Sequence, residues 1–351
     1  MKQMTAVLLV AAAFLFGGCT EPVLENSPVA FSYTQEAVCT GTIDRENYGF
    51  FDCAADTGIV IPGLRQNFIP QGIAFWNKRN WLLISGYFMP ASGSSAAAVL
   101  AVDLCSGKLA GEYTLVDGLG REYGGHFSGI AVTDTDLYVT GSYCLYRVPL
   151  MELLRAGKQG ALSVAQELPV SAAPSSCNYS DGILWLCEHY QPRTFPLKGD
   201  HVSVCNDGNT HHAWMVGYKI THKGTLKPYC VFSVPDRIQG ITVLADGSIL
   251  LSQSYGRRNP SRLLVCRDPR QNTPDVYVDL EGHTVPLWYL DSANGMQSVC
   301  APPMAEGCCA VEDRVYLIFE SGAYYYRAYA PDNPAVDPTD KIWMLTLLEN
   351  N

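Results

Sequence analysis

Ten positions spread along the middle of the chain carry the residue types best suited to chemistry. Gln71, Ser128, Ser175, Gln239 and Glu306 each lead a short apolar segment, and Ser85, Gly141, Glu188, Gln253 and Glu320 each end the segment that follows. Together they hold three carboxylates and three side-chain amides, with no Lys or Arg. Polar groups at the ends of otherwise apolar segments need water, a neighbour or a ligand to satisfy them. Hard oxygen donors meeting at one place suit Ca2+ or another divalent cation. The same donors also suit hydrogen bonds to adjoining segments and trapped water, so both outcomes stand. On this chemistry Glu306 and Glu320 are candidate metal ligands, and Gln71, Ser128, Gln239 and Gln253 candidate ligand-binding residues.

Other groups add to this set. His126 sits in Gly124-Gly125-His126 ahead of an apolar segment, where glycines permit close approach of a second group. His189 follows Glu188. A histidine titrates near neutrality, so His126 and Glu188 are candidate general bases and His189 a candidate binding residue. Arg257, in Tyr255-Gly256-Arg257-Arg258-Asn259, offers a planar fork of donors for a carboxylate or for sugar hydroxyls, or for a salt bridge to a neighbouring segment. Tyr324-Tyr325-Tyr326 and nearby Tyr329 form an aromatic cluster suited to stacking on a ligand or to covering an edge. His211-His212, adjacent in a polar loop, are expected to be solvated. No GxSxG elbow, HExxH, P-loop or dinucleotide fingerprint is present.

The elements that position these residues follow from a repeat. Each copy has a polar residue, usually followed by Gly, then a short apolar strand, a polar turn and a second apolar strand. The copies start at Gln71, Ser128, Ser175, Gln239 and Glu306, at intervals of 57, 47, 64 and 67 residues. A third apolar stretch follows in every copy: Val99–Leu104, Leu145–Leu150, Trp214–Ile220, Leu263–Arg267 and Ile342–Leu348. Four copies add a fourth strand, at Gly111–Val116, Leu162–Val170, Pro228–Val234 and Asp275–Leu280. Four short strands per repeat predict an all-β fold, a β-propeller. Five blades account for the repeats. A sixth stays open if Cys39–Ile61 and the Gly282–Cys300 insert combine. The fifth copy lacks an outer strand, and an N-terminal strand near Val29–Val38 is expected to supply it and close the ring, because an unpaired edge invites aggregation. Helical periodicity is confined to Leu150–Ala156. In a propeller the first strands line the axis, which gathers the ten positions into rings around it.

Composition agrees. Hydrophobic residues make up 48% of the 351 and charged residues 17%, ample for a core. The net charge of −10, without a basic run, argues against nucleic-acid binding. After Met1-Lys2-Gln3 comes an apolar run, Ala6–Phe16, then Gly17-Gly18-Cys19. A membrane span needs about 20 apolar residues, so a run this short reads as the core of a signal peptide. Small residues directly before a cysteine resemble the bacterial lipobox, with Phe16 where that motif commonly has Leu. The resemblance implies cleavage before Cys19 and lipid on Cys19. The expected layout is thus a leader over 1–18, the lipidated cysteine and a tether over 19–28, and one propeller over 29–351. Twelve further cysteines, an even number in an exported chain, predict disulfides whose pairing is not readable. Cys308-Cys309 suit a strand whose two residues face opposite sides.

The stretches Ile69-Pro70-Gln71-Gly72-Ile73, Gly125-His126-Phe127-Ser128-Gly129-Ile130-Ala131, Gln239-Gly240 with Leu251-Ser252-Gln253-Ser254-Tyr255-Gly256-Arg257, and Pro302–Gly307 with Phe319-Glu320-Ser321-Gly322 resemble secreted bacterial propellers of unassigned function. More loosely they are similar to the NHL, SMP-30/gluconolactonase and paraoxonase-like group. The SMP-30 likeness implies a divalent metal in the channel, with Glu306 alone at a comparable blade start. Two functions are therefore expected. The first is a lipid-anchored envelope propeller, facing the periplasm or the cell surface, that holds a small ligand or an envelope protein at its channel mouth. The alternative is a metal-assisted hydrolase or lactonase, or a glycoside-cleaving enzyme, using the channel glutamates.

Overall fold

The computed structural model describes residues 33–89, 95–329 and 333–346, with the backbone of Val23–Leu24. Five antiparallel sheets surround one axis. From inner to outer strand the first is Phe68–Trp76, Trp81–Phe88, Ala96–Asp103 and Leu109–Val116. The second is Ile130–Val132, Asp136–Gly141, Cys144–Pro149 and Gln166–Pro169. The third is Pro174–Ser180, Ile183–Glu188, Ala213–Ile220 and Leu226–Val234. The fourth is Ile238–Val243, Ile249–Gln253, Ser261–Cys266 and Gln297–Ala301. The fifth is Ala305–Val311, Arg314–Phe319, Lys341–Thr346 and Ala54–Val60. Each inner strand contacts the inner strands of the blades before and after it, and the last contacts the first. The chain is a five-bladed β-propeller.

The continuous apolar runs of the middle strands follow from this arrangement, because a blade is covered on both faces. Leu83 enters the core between the first and second blades, while Leu82 and Ile84 enter the core between the fifth and first. Cys308 and Cys309 divide in the same way between the fourth–fifth and fifth–first cores, as a two-residue period requires. Five such inter-blade cores make up the hydrophobic interior.

Several expectations need correction. The N-terminal strand that closes the ring is Ala54–Val60, paired antiparallel with Lys341–Thr346, and not Val29–Val38. Within that earlier segment, residues 33–38 form an irregular strap; the part before Tyr33 lies outside the described residues. Its polar groups bind across the seam instead of forming a ladder. The Gln35 amide donates to the carbonyls of Val60 and Gly107, and the Val38 and Cys39 amides donate to the Asp340 carboxylate. Ala54–Val60 escapes detection because it is an edge strand with half-buried and exposed side chains in no regular alternation and a break in register between Asp56 and Val60.

No sixth blade forms among the described residues. The strand Val276–Leu280 belongs to the third sheet, not the fourth. It pairs with His283–Tyr289, which joins Leu226–Val234 in parallel, and Gln297–Ala301 supplies the fourth blade's outer strand. The stretch Leu162–Val170 is likewise split. Gln159–Ser163 runs parallel to the first blade's outer strand, and Gln166–Pro169 completes the second blade. The helix Leu150–Ala156 forms where its periodicity lies. No disulfide joins the twelve described cysteines, most of which are buried in the blades. Burial pushes the thiols of Cys230 and Cys266 up to about 12, so they behave as small apolar residues. Among the described residues no helix is long and apolar enough to cross a membrane. Cys19 and the leader lie outside the described residues.

Candidate functional site

The ring residues face the axis because the inner strands bulge where they stand. Pairing passes from Pro70 to Gly72, from Pro174 to Ser176, from Ile238 to Gly240 and from Ala305 to Cys308, leaving Gln71, Ser175, Gln239 and Glu306 out of the ladder. A bulge re-aims a side chain at the cost of one ladder position. The glycine after the polar residue has a separate cause. A Cβ on Gly72 would lie 2.4 Å from the Ser128 carbonyl oxygen, one on Gly129 2.5 Å from the Cys177 nitrogen, and one on Gly240 2.4 Å from the Glu306 carbonyl oxygen. The repeated polar-Gly pair is therefore one residue turned toward the axis followed by one with no room for a side chain.

The seam between the fifth and first blades gathers most of the chemistry. Glu306 comes from the inner-strand bulge, and Glu320 follows the second strand, its amide donating to the Met304 carbonyl at 3.1 Å. The Gln71 amide donates to Glu320 Oε2 at 3.0 Å and to the Pro70 carbonyl at 3.1 Å. Tyr326, from the loop after Glu320, is a hydrogen-bonding neighbour of both Glu320 and Tyr87. The Tyr87 ring stacks on His126 with centroids 3.9 Å apart. Arg257 stands over the rings of Tyr326 and Tyr325, at 4.8 and 5.2 Å, and donates to the Asn333 carbonyl at 2.9 Å.

The two carboxyls differ in support. Glu306 is 2% exposed, and among the described residues its carboxyl takes part in no hydrogen bond or salt bridge. Burial, and then the charge of Glu320, hold its pKa well above the ordinary carboxylate range. Glu320 is half-buried. Burial raises it to about 7, against the opposing effects of Tyr326, Gln71 and Arg257. Both carboxyls are therefore harder to ionise than surface glutamates. Tyr87 and Tyr326 stay protonated, each raised first by burial and then by Glu320. His126 reaches solvent but is surrounded by enough protein that desolvation lowers its pKa.

The remaining candidates lie elsewhere on the ring. Glu188, 1% exposed, is used up by its own blade. One oxygen accepts from the Ala173 amide at 3.1 Å, and the other accepts from the Trp214 amide at 2.9 Å and contacts His201 Nδ1 at 2.7 Å. No described contact links it to Glu306 or Glu320. His189 packs edge-on against Phe195, with Nδ1 3.2 Å from the Ile238 carbonyl, and burial brings its pKa down to about 4. Gln253 donates to the Asp236 carbonyl at 2.9 Å, and Gln239 is half-buried in the fourth blade's bulge. Ser128 offers its backbone, whose carbonyl accepts from Ser85 Oγ at 3.0 Å. The expectation of a solvated His211-His212 is corrected. His211 is buried beside Ser233, and His212 pairs with Asp236 at 3.0 Å and stacks on Tyr190.

Sequence reasoning passes over Tyr87 and His201. Tyr87 has a signal, since it lies two residues beyond Ser85 on the same strand and so shares its face. His201, stacked on Trp214 at 3.8 Å, comes from an irregular loop with no periodicity to mark it. For the expected divalent cation the donor set falls short. Ca2+ takes about six to eight oxygens, whereas the Gln71 amide turns a donor toward Glu320. Among the described residues no group of three or more His, Cys, Asp or Glu is arranged around one point.

No protein-family model matches the sequence, and no curated protein matches it. Among solved structures the chain is similar to the glutaminyl cyclase of Myxococcus xanthus, at 15% identity over 73% of this chain and 87% of that one, with a TM-score of 0.35. It is also similar to the PQQ-bound aldose sugar dehydrogenase of Streptomyces coelicolor, at 14% identity over 84% and 97% and a TM-score of 0.44. Likenesses this distant carry no chemistry across, and the resemblance to the NHL and SMP-30 group has no family match behind it. Two clefts, of about 480 and 470 Å3, are lined by other residues: Arg267, Asp268 and Asn294 in one, Ile59, Asn77 and Arg314 in the other.

Proposed function

We propose that this chain is an exported, lipid-anchored propeller that binds a small polar ligand at the seam of its first and fifth blades. The observation that carries the reading is the pairing of two carboxyls at this seam, Glu306 at 2% exposure and the half-buried Glu320, each harder to ionise than a surface glutamate. Burying such a group costs several kcal/mol, on the order of the whole stability of a domain, unless something compensates it. A ligand that meets both carboxyls would offset part of that cost. The half-buried Glu320 and the solvent-reaching His126 supply an approach from outside.

The test is thermal unfolding of residues 20–351 against millimolar sugars, amino acids, amines and organic acids, with Glu320→Gln in parallel. The reading expects at least one class to raise the melting temperature of the wild type and to lose most of that effect in the variant. Shifts that are absent from all classes, or unchanged in Glu320→Gln, would remove it. The anchor has its own test. Cys19→Ala is expected to abolish incorporation of labelled fatty acid and to release the protein from membranes; retained label would contradict the lipidation.

A further inference from the structure

We propose that the ligand of this seam is a small organic cation, an ammonium group seated beside Glu306 and Glu320 and next to Tyr87 and Tyr326. The proposal rests on the reading of the seam as a binding site and names its ligand class.

Charge gives the first argument. Glu306 and Glu320 stand together inside the fold, and among the described residues no salt bridge within 4 Å reaches either of them. Arg257 is the cation that acts on Glu320, but its guanidinium is held by the Asn333 carbonyl and lies over Tyr325 and Tyr326. Burial and mutual repulsion hold these two carboxyls back from ionising, and an arriving positive charge favours their ionised form.

The neighbouring rings give the second argument. The faces of tyrosine and neutral imidazole are electron-rich, and cations lie over such rings within about 6 Å. The seam already holds one cation this way, Arg257 over Tyr326 at 4.8 Å. Tyr87, stacked on His126, adds a second aromatic group beside the carboxyls. His126, held neutral by its surroundings, adds no opposing charge. Against a metal ion, the site has too few oxygens. Against a neutral sugar, it has only the Gln71 amide, already spent on Glu320 and Pro70, among its described side-chain amide donors.

The experiment is calorimetric titration of residues 20–351 with choline chloride and methylammonium chloride, with sodium chloride, glucose and calcium chloride as comparators at matched ionic strength. Wild type, Glu306→Gln and Glu320→Gln are titrated, so that one variant remains informative if the other fails to fold. The expected result is saturable binding of an ammonium probe that weakens at least tenfold in either variant, with sodium and glucose inert. Glucose binding with both amines inert overturns the ammonium assignment and leaves the seam as a binding site. Calcium binding with both amines inert overturns it in favour of a metal. No binding by any probe overturns the ammonium assignment, and if the broader ligand panel is also silent the binding reading falls with it.

Discussion

The Gln71 amide donates to the Glu320 carboxylate at 3.0 Å across 249 residues of chain, which ties the first blade to the fifth through the candidate site itself. The ring therefore closes twice, once at its rim through Ala54–Val60 and once at its axis through this pair. Closure and ligand chemistry share one seam.

Gln71→Leu removes the donor and leaves Tyr326 as the described side-chain hydrogen-bond partner of Glu320. A hydrogen bond to a charged group contributes about 1.5–3 kcal/mol. The variant is expected to lose about that much stability at pH 8, where Glu320 is ionised, and less at pH 5, where it is protonated. Denaturant unfolding at the two pH values measures the difference, and an equal loss at both would contradict the assignment.

The carboxyl pair has a defined pH signature. Glu306 and Glu320 titrate above the ordinary 4.5 in the folded chain, Glu320 at about 7. Between those values the folded state holds protons that the unfolded chain has lost, so stability falls as pH rises through that window. His189, with a folded pKa of about 4, acts oppositely, since its contribution is lost as pH falls from 6.5 toward 4. Comparing wild type with Glu306→Gln cancels the histidine. Relative to wild type, the variant is expected to gain stability as pH rises from 5 to 8. An advantage independent of pH would show that the pair does not titrate as described.

The glycines of the repeat make a steric prediction. Gly240→Ala places a methyl group 2.4 Å from the Glu306 carbonyl, backbone against backbone, while Gly118 has nothing within 4 Å of its Cβ position. Gly240→Ala is expected to cost about 1–3 kcal/mol or more, and Gly118→Ala to stay within about 0.5 kcal/mol. Similar melting temperatures for the two variants would mean that the inner strands are not in contact.

How much of this is legible in the sequence depends on what a residue's environment imprints on its neighbours. The five units are legible because middle strands covered on both faces read as apolar runs, such as Trp81–Ser85, and because each close approach demands glycine. Where Ser176 replaces that glycine the copy looks degenerate, and it still forms the third blade. Edge strands carry no such imprint, so Ala54–Val60 is missed and Val276–Leu280 is placed on the wrong blade. The ring positions of Glu306, Glu320 and Gln71 are legible from alignment of the repeats. Their union at one seam is not, since sequence order places Gln71 and Glu320 at opposite ends of the propeller. The role of Glu188 differs for a similar reason. Its partners, the amides of Ala173 and Trp214 and the ring of His201, come from loops without periodicity or from a neighbouring strand.

Closure at the rim can be tested by truncation. A chain starting at Cys39 keeps Ala54–Val60 and is expected to stay soluble and folded. A chain starting at Pro62 exposes the edge of Lys341–Thr346 and is expected to aggregate. Size-exclusion chromatography separates the outcomes, and a soluble, folded shorter chain would contradict the assignment of the closing strand.

The most direct test of the central claim, that the seam holds a carboxyl pair kept from ionising by burial and by mutual repulsion, is infrared spectroscopy of the protonated carboxyl stretch in ligand-free protein at pH 7. Most surface carboxylates are ionised there, so a protonated band is diagnostic. The account predicts such a band in the wild type, reduced or lost in Glu306→Gln. Its absence from the wild type would mean that both glutamates are ionised and already compensated, and the seam would then need no ligand.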